Sequence, residues 1–181
     1  MVRAGIFGIS GYAGRKLVEI LLLHPEVKIT CGFVAPDEPE MPLSQMHPRI
    51  SKTIDIFCYN KVDWKLVEKN CDIVFLALPH VVSMSFVPQI LSLGKKVIDL
   101  SADYRFSDAL IYEKWYQKHS SPELLSQAVY GLPEINRKEI AKASLIANPG
   151  CYPTSALLGM MPIAKKNLIR GRVIVNSLSG F

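Results

Sequence analysis

A chain of 181 residues, 49% hydrophobic and 20% charged, has the composition of a globular protein rather than a disordered one, and is long enough for one well-cored domain and part of a second. Its formal charge of +5 is dispersed, with no block of five basic residues, which excludes the clustered footprint of a nucleic-acid-binding protein and suits a modest field for small anions. The four cysteines, at 31, 58, 71 and 151, form no CxxC pair for zinc or dithiol chemistry, and apolar runs too short for a membrane span or a secretory signal make a reducing cytoplasm the default setting.

In chain order, residues 2–7 read as a short buried strand running into glycines. Residues 12–23 carry Leu17, Ile20, Leu21 and Leu22 at helical spacing until Pro25 stops them. Residues 27–34, rich in β-branched side chains, supply a second strand and complete a βαβ unit. Prolines at 36, 39, 42 and 48 predict a loop over 35–51. Strand 53–57, helix 62–69, strand 72–78, helix 83–93 and strand 96–100 continue the alternation. Helices over 112–118 and 136–143, a strand over 145–147, a turn into a helix from Asn148, and the start of a strand over 172–178 follow.

This order predicts an α/β fold: a Rossmann-type parallel sheet with helices on both faces over residues 1–147, then the beginning of a second, α+β catalytic and dimerisation domain over 148–181. Ligands of such sheets sit at the carboxyl ends of the strands, which draws attention to the turns after residues 7, 76, 100 and 147.

Gly8, Ile9, Ser10, Gly11, Tyr12, Ala13 and Gly14 form GxxGxxG between a strand and a helix. That context suits a dinucleotide, since glycines let the backbone approach a pyrophosphate and the helix start offers unpaired N–H groups. The alternative is a turn needed only for strand-to-helix packing. No acidic residue closes the second strand, although Asp37 and Glu38 follow, which leans toward NADP; no arginine stands there to take a 2′-phosphate either.

Asn148-Pro149-Gly150-Cys151-Tyr152-Pro153-Thr154 places a thiol where an extended segment gives way to a helix, and a helix N-terminus favours the reactive thiolate. Pro153 suits a first helical turn. Cys31, Cys58 and Cys71, in apolar strands or at their edges, read as structural. His80 reads as structural or solvated, and His24, His47 and His119 carry no assignment.

The stretches GISGYAGRKLVEILLLHPEV, LALPHVVS, VIDLSADYRF, YGLPEINR and NPGCYPTSALL together resemble the N-acetyl-γ-glutamyl-phosphate reductases of arginine biosynthesis, in order from residue 4 to about residue 178. The resemblance implies NADPH-dependent reductive dephosphorylation of an acyl phosphate to a semialdehyde, with Cys151 as nucleophile. It implies Gly8, Ser10, Gly11, Tyr12, Ala13 and Gly14 at the pyrophosphate, Ala77, Leu78 and Pro79 along the ribose and nicotinamide, and Ser101 on the same rim. Arg105 would bind a substrate anion, with Glu134, Asn148 and Tyr152 positioning. A homo-oligomer is implied for the full-length protein, with no metal.

The family also carries an acid/base histidine several dozen residues beyond the cysteine, whereas only residues 152–181 follow Cys151 here and none is histidine. The expectation is a truncated polypeptide that is inactive or nearly so alone. A related reductase acting on an aminoadipyl acyl phosphate and a non-catalytic dinucleotide-binding module remain as alternative readings.

Overall fold

The computed structural model describes residues 1–48 and 56–178. In chain order the elements are β1 (Val2–Phe7), α1 (Tyr12–Leu22), β2 (Val27–Phe33), β3 (Met41–Pro42), α2 (Leu43–Met46), β4 (Phe57–Tyr59), α3 (Trp64–Asn70), β5 (Ile73–Leu76), α4 (Val87–Ser92) and β6 (Lys96–Asp99). These are followed by α5 (Ala109–Glu113), β7 (Ala128–Tyr130), α6 (Pro133–Lys142), β8 (Leu145–Ala147) and α7 (Cys151–Ala164). Short 3₁₀ turns occupy Ser83–Ser85 and Pro122–Gln127.

The strands form one eight-stranded sheet in the order β3-β4-β2-β1-β5-β6-β8-β7. Every pairing is parallel except β3 with β4. Successive β1 side chains point to opposite faces, and each face has its own core. Ala4 and Ile6 join Val18 and Leu21 of α1, Ile29, Leu43 and Cys58 on one side. Phe7 joins Phe33, Val67, Val74, Val87 and Ile90 on the other, under α3 and α4. Gly5 keeps β1 bare where the buried Cys31 and Cys71 thiols meet, Sγ to Sγ 3.2 Å; a Cβ there would stand 2.8 Å from the Cys71 sulfur. That contact, together with burial, pushes the Cys31 thiol pKa up.

Several expectations are corrected. The 35–51 stretch holds β3 and the single turn α2, because Pro42 sits at the N-cap of α2, where no backbone N–H is needed; residues 49–51 lie outside the described residues. Of the strand expected over 53–57, residues 53–55 lie outside them too, and the observed strand is Phe57–Tyr59. The helix expected over 112–118 is α5, started earlier by Asp108, whose side chain accepts from Leu110 N, and ended as the buried Tyr112 turns inward to Asp103. Residues 172–178 form no strand: their backbone pairs with none of the sheet's strands, and Ile174 and Leu178 lie exposed. β7, an addition to the expected set, pairs in parallel with β8.

Candidate active site at the carboxyl edge of the sheet

Since β1, β2, β5, β6 and β8 are parallel, the turns that follow them share one edge. β1 leads to β2 on one side and has β5 on the other, which makes the end of β1 the switch point where such sheets take ligands.

The glycine turn is locked at that point. Gly8 N and Ile9 N donate to Phe33 O at 2.8 and 3.2 Å, so the end of β2 carries the turn. Gly8 has φ +78°, and a Cβ on it would lie 2.2 Å from Ala77 O; a Cβ on Gly14 would lie 2.1 Å from Gly8 O. These two glycines are demanded by packing. Gly11 differs, because a Cβ there would meet only Gly8 O, at 3.5 Å, and otherwise open space. Gly11 is also the N-cap of α1, with no side-chain cap and no acidic residue in the first turn. The N–H groups of that turn therefore face a clear approach, which fits the pyrophosphate of a dinucleotide. Tyr12 is 96% exposed at this mouth, Ala13 lies beside it, and Ser10, Gly11, Tyr12, Arg15, Met46 and His47 line a recess of about 290 Å³.

Ala77 and Leu78 reach the same place: Ala77 N donates to Phe7 O at 2.8 Å, and the Leu78 side chain lies 3.2 Å from where a Gly8 Cβ would stand. Pro79 and His80 continue outward into solvent. His80 Nδ1 accepts from Ala102 N at 2.9 Å, which places its ring proton on Nε2 when the ring is neutral.

After β6, Ser101 is buried and its hydroxyl donates to Asp99 Oδ2 at 2.7 Å, so its side chain is taken up inside the turn. Burial raises the Asp99 pKa, opposed by the serine hydrogen bonds. The buried Ser83 hydroxyl approaches the same carboxylate without reaching hydrogen-bond geometry. Sequence reasoning missed Asp103, which is fully buried and accepts from Val81 N at 2.7 Å, Met84 N at 3.0 Å and Tyr112 Oη at 2.9 Å. It thereby holds the loop after β5 in a shape that puts Val81 at φ +77°. The available signal was an aspartate set between Ala102 and Tyr104 in the turn after β6.

Arg105 was expected to bind an anion. Its Nε donates to Asn148 O and its Nη2 to Leu100 O, both at 2.9 Å, so two arms of the guanidinium tie the end of β6 to the turn after β8. Nη1 stands 3.1 Å from where a Gly150 Cβ would be, next to the cysteine. Asn148 is fixed by its N–H to Asp99 O at 2.8 Å. Gly150 is the N-cap of α7, and Cys151 is its first residue, the exposed one of the four cysteines. Tyr152 is 46% exposed beside it. Glu134 lies exposed in the first turn of α6, beyond β7. The structure thus brings Gly8 to Ala77 and Leu78, and Arg105 to Asn148 and Gly150. It draws Ser101 inward.

Residues 3–143 match the family model of the semialdehyde dehydrogenase NAD-binding domain. The chain belongs to that family. An N-acetyl-γ-glutamyl-phosphate reductase of Citrifermentans bemidjiense is 50% identical to this semialdehyde dehydrogenase domain over 181 residues, covering 99% of the chain and 52% of that protein. The chain spans about half the length of the curated relatives it matches. Among solved structures, aspartate semialdehyde dehydrogenase II of Vibrio cholerae in complex with ASA superposes with a TM-score of 0.66 at 18% identity, covering 91% of this chain and 47% of that one. The Candida albicans aspartate semialdehyde dehydrogenase with NADP gives 0.65 at 16% identity, covering 93% and 48%. These likenesses establish the shared fold. No helix among the described residues is long and apolar enough to cross a membrane.

Proposed function

We propose that this chain is the dinucleotide-binding half of an N-acetyl-γ-glutamyl-phosphate reductase, with Cys151 as nucleophile. The observation that carries the proposal is the exposed Cys151 thiol at the start of α7, on the same sheet edge as the open glycine turn. The Cys151 thiolate attacks the acyl carbon of the substrate and expels phosphate, leaving an acyl thioester on Sγ. Bound NADPH supplies the hydride that releases the semialdehyde and returns the thiolate.

This chain's residues bind and orient. The first turn of α1 holds the pyrophosphate, and Ala77, Leu78 and Pro79 flank the ribose and nicotinamide. Arg105 fixes the cysteine turn through the Asn148 and Leu100 carbonyls and offers Nη1 toward the substrate's oxygens; Glu134 and Tyr152 border that mouth. Residues 1–147 form the dinucleotide domain, and 148–181 begin the catalytic domain: α7 is strongly apolar, yet none of its residues is buried. The protein that contains this chain is a cytoplasmic homo-oligomer with a small acyl-phosphate substrate.

Phosphate-dependent oxidation of N-acetylglutamate semialdehyde with NADP tests the proposal in that protein. Cys151→Ser abolishes the reaction if the assignment holds; turnover at the wild-type rate rejects it. Aminoadipate semialdehyde as a parallel substrate reports the acyl chain preferred.

A further inference from the structure

Val81 holds φ +77°, a left-handed backbone that the described residues otherwise give to Gly8, Gly94, Gly171 and Asn167. A β-branched residue keeps it only where its surroundings enforce it. The enforcing group is Asp103, which accepts from Val81 N and Met84 N. Asp103 is braced in turn, its N–H donating to Ser101 Oγ at 3.1 Å and its carbonyl lying 2.9 Å from His119 Nε2. Val82 N donates to Pro79 O at 3.3 Å across the strained turn, and the residue carried at its corner is His80. That ring is not free to swing. Ala102 N fixes Nδ1 at 2.9 Å, and the ring packs edge to face against Tyr116, centroids 5.4 Å apart, with Tyr116 stacked on the buried Tyr112 at 4.8 Å. Nε2 makes no hydrogen bond among the described residues. An exposed side chain is thus seated against two turns and the segment after α5, with one N–H left over.

We infer that His80 binds the nicotinamide end of the dinucleotide, its neutral ring donating the Nε2 hydrogen to an oxygen of the nicotinamide nucleoside. The inference deepens the cofactor reading above and rests on it. The sheet runs β1-β5-β6-β8 across this edge. The glycine turn follows β1 and the cysteine turn follows β8, while His80 belongs to the turn after β5 and is tied through Ala102 to the turn after β6. A dinucleotide with its pyrophosphate on the glycine turn and its reactive ring at Cys151 crosses that interval, since hydride transfer requires the two reacting centres in contact. The nicotinamide nucleoside carries hydroxyl and carboxamide oxygens there, which suit a single N–H donor. An imidazole that accepts a backbone N–H at one nitrogen keeps its proton on the other, so the donor is present without a charge. The strained turn presets its direction, and little freedom is left to lose on binding.

The test is calorimetric titration of the protein that carries this chain with NADPH and with 2′,5′-ADP, which lacks the nicotinamide end, for wild type, His80→Asn and His80→Ala, with melting temperatures taken alongside. Asparagine keeps an acceptor where Nδ1 meets Ala102 N and removes the Nε2 donor. His80→Asn therefore retains the wild-type melting temperature and weakens NADPH about tenfold, the scale of one hydrogen bond, with 2′,5′-ADP affinity unchanged. His80→Ala weakens NADPH in the same way and also lowers the melting temperature. Unchanged NADPH affinity in both variants, or an equal loss for both ligands, overturns the role of His80 and leaves the cofactor reading standing. Failure of the wild-type protein to bind either ligand overturns the cofactor reading and His80 with it.

Discussion

Arg105 Nε donates to the Asn148 carbonyl oxygen at 2.9 Å, fastening the turn that presents Cys151 to the strand two places from β1 in the sheet. The same guanidinium takes the Leu100 carbonyl through Nη2, and this double hold needs a planar fork. Lysine has one ammonium and cannot serve both carbonyls with the same geometry. Arg105→Lys therefore lowers stability by about 2 kcal/mol, as expected for charge-assisted hydrogen bonds lost at a partly buried site, and changes the rate at which Cys151 is alkylated. Urea unfolding and thiol labelling measure the two effects.

The glycines of the first turn separate by role. Gly8→Ala must adopt φ +78° and meets Ala77 O at 2.2 Å, so it costs at least about 2 kcal/mol in thermal unfolding. Gly11→Ala meets only Gly8 O at 3.5 Å; it keeps stability within about 1 kcal/mol and weakens dinucleotide binding about tenfold, by placing a methyl group where the pyrophosphate approaches.

Asp103→Asn replaces an acceptor for three donors, Val81 N, Met84 N and Tyr112 Oη, by a group that is itself half donor. Stability falls by about 2–3 kcal/mol in urea unfolding. Amide exchange at Val81 and Met84 rises most, because the loop they belong to is held at φ +77° by that carboxylate.

Arg3 grips Asp72 in a fork, Nη2 to Oδ1 at 2.6 Å and Nε to Oδ2 at 3.1 Å, joining β1 to the start of β5. The guanidinium lowers the Asp72 carboxyl from its ordinary 3.8 to about 2. A depressed carboxylate stabilises the fold above its unfolded value, and that contribution disappears as the pH falls from 3.8 through about 2. With both side chains over 40% exposed, solvent screening limits it, so Asp72→Asn costs about 0.5–1 kcal/mol at pH 7. Wild type and variant converge as the pH falls below about 2 in denaturation curves.

The β1–glycine turn–α1 unit was legible because its signals are local: a strand, three glycines in succession at GxxGxxG spacing, and a helix with apolar Leu17, Val18 and Leu21 on its inner face. Cys151 was legible for the same reason, since Gly150 and Pro153 mark a helix start within a few residues of the thiol. The hold on Glu38 was not, because Asn60, whose Nδ2 donates to the Glu38 carbonyl, is distant in sequence and the turn closed by Glu38 N to Ala35 O forms after β2 has ended. The hold of Arg105 on the Asn148 and Leu100 carbonyls was not legible either, because its partners are backbone oxygens, which no side-chain pattern announces. β7 escaped because three half-buried residues carry too short a pattern, and it exists only by pairing with β8.

In the proposed function the exposed Cys151 sulfur stands open beside the bound nicotinamide dinucleotide. Iodoacetamide labelling followed by peptide mass mapping, with and without saturating NADPH, measures this directly. Cys151 is expected to be modified ahead of the buried Cys31, Cys58 and Cys71, and NADPH to slow its modification. Labelling of a buried cysteine first, or labelling of Cys151 at a rate that saturating dinucleotide leaves unchanged, would contradict it.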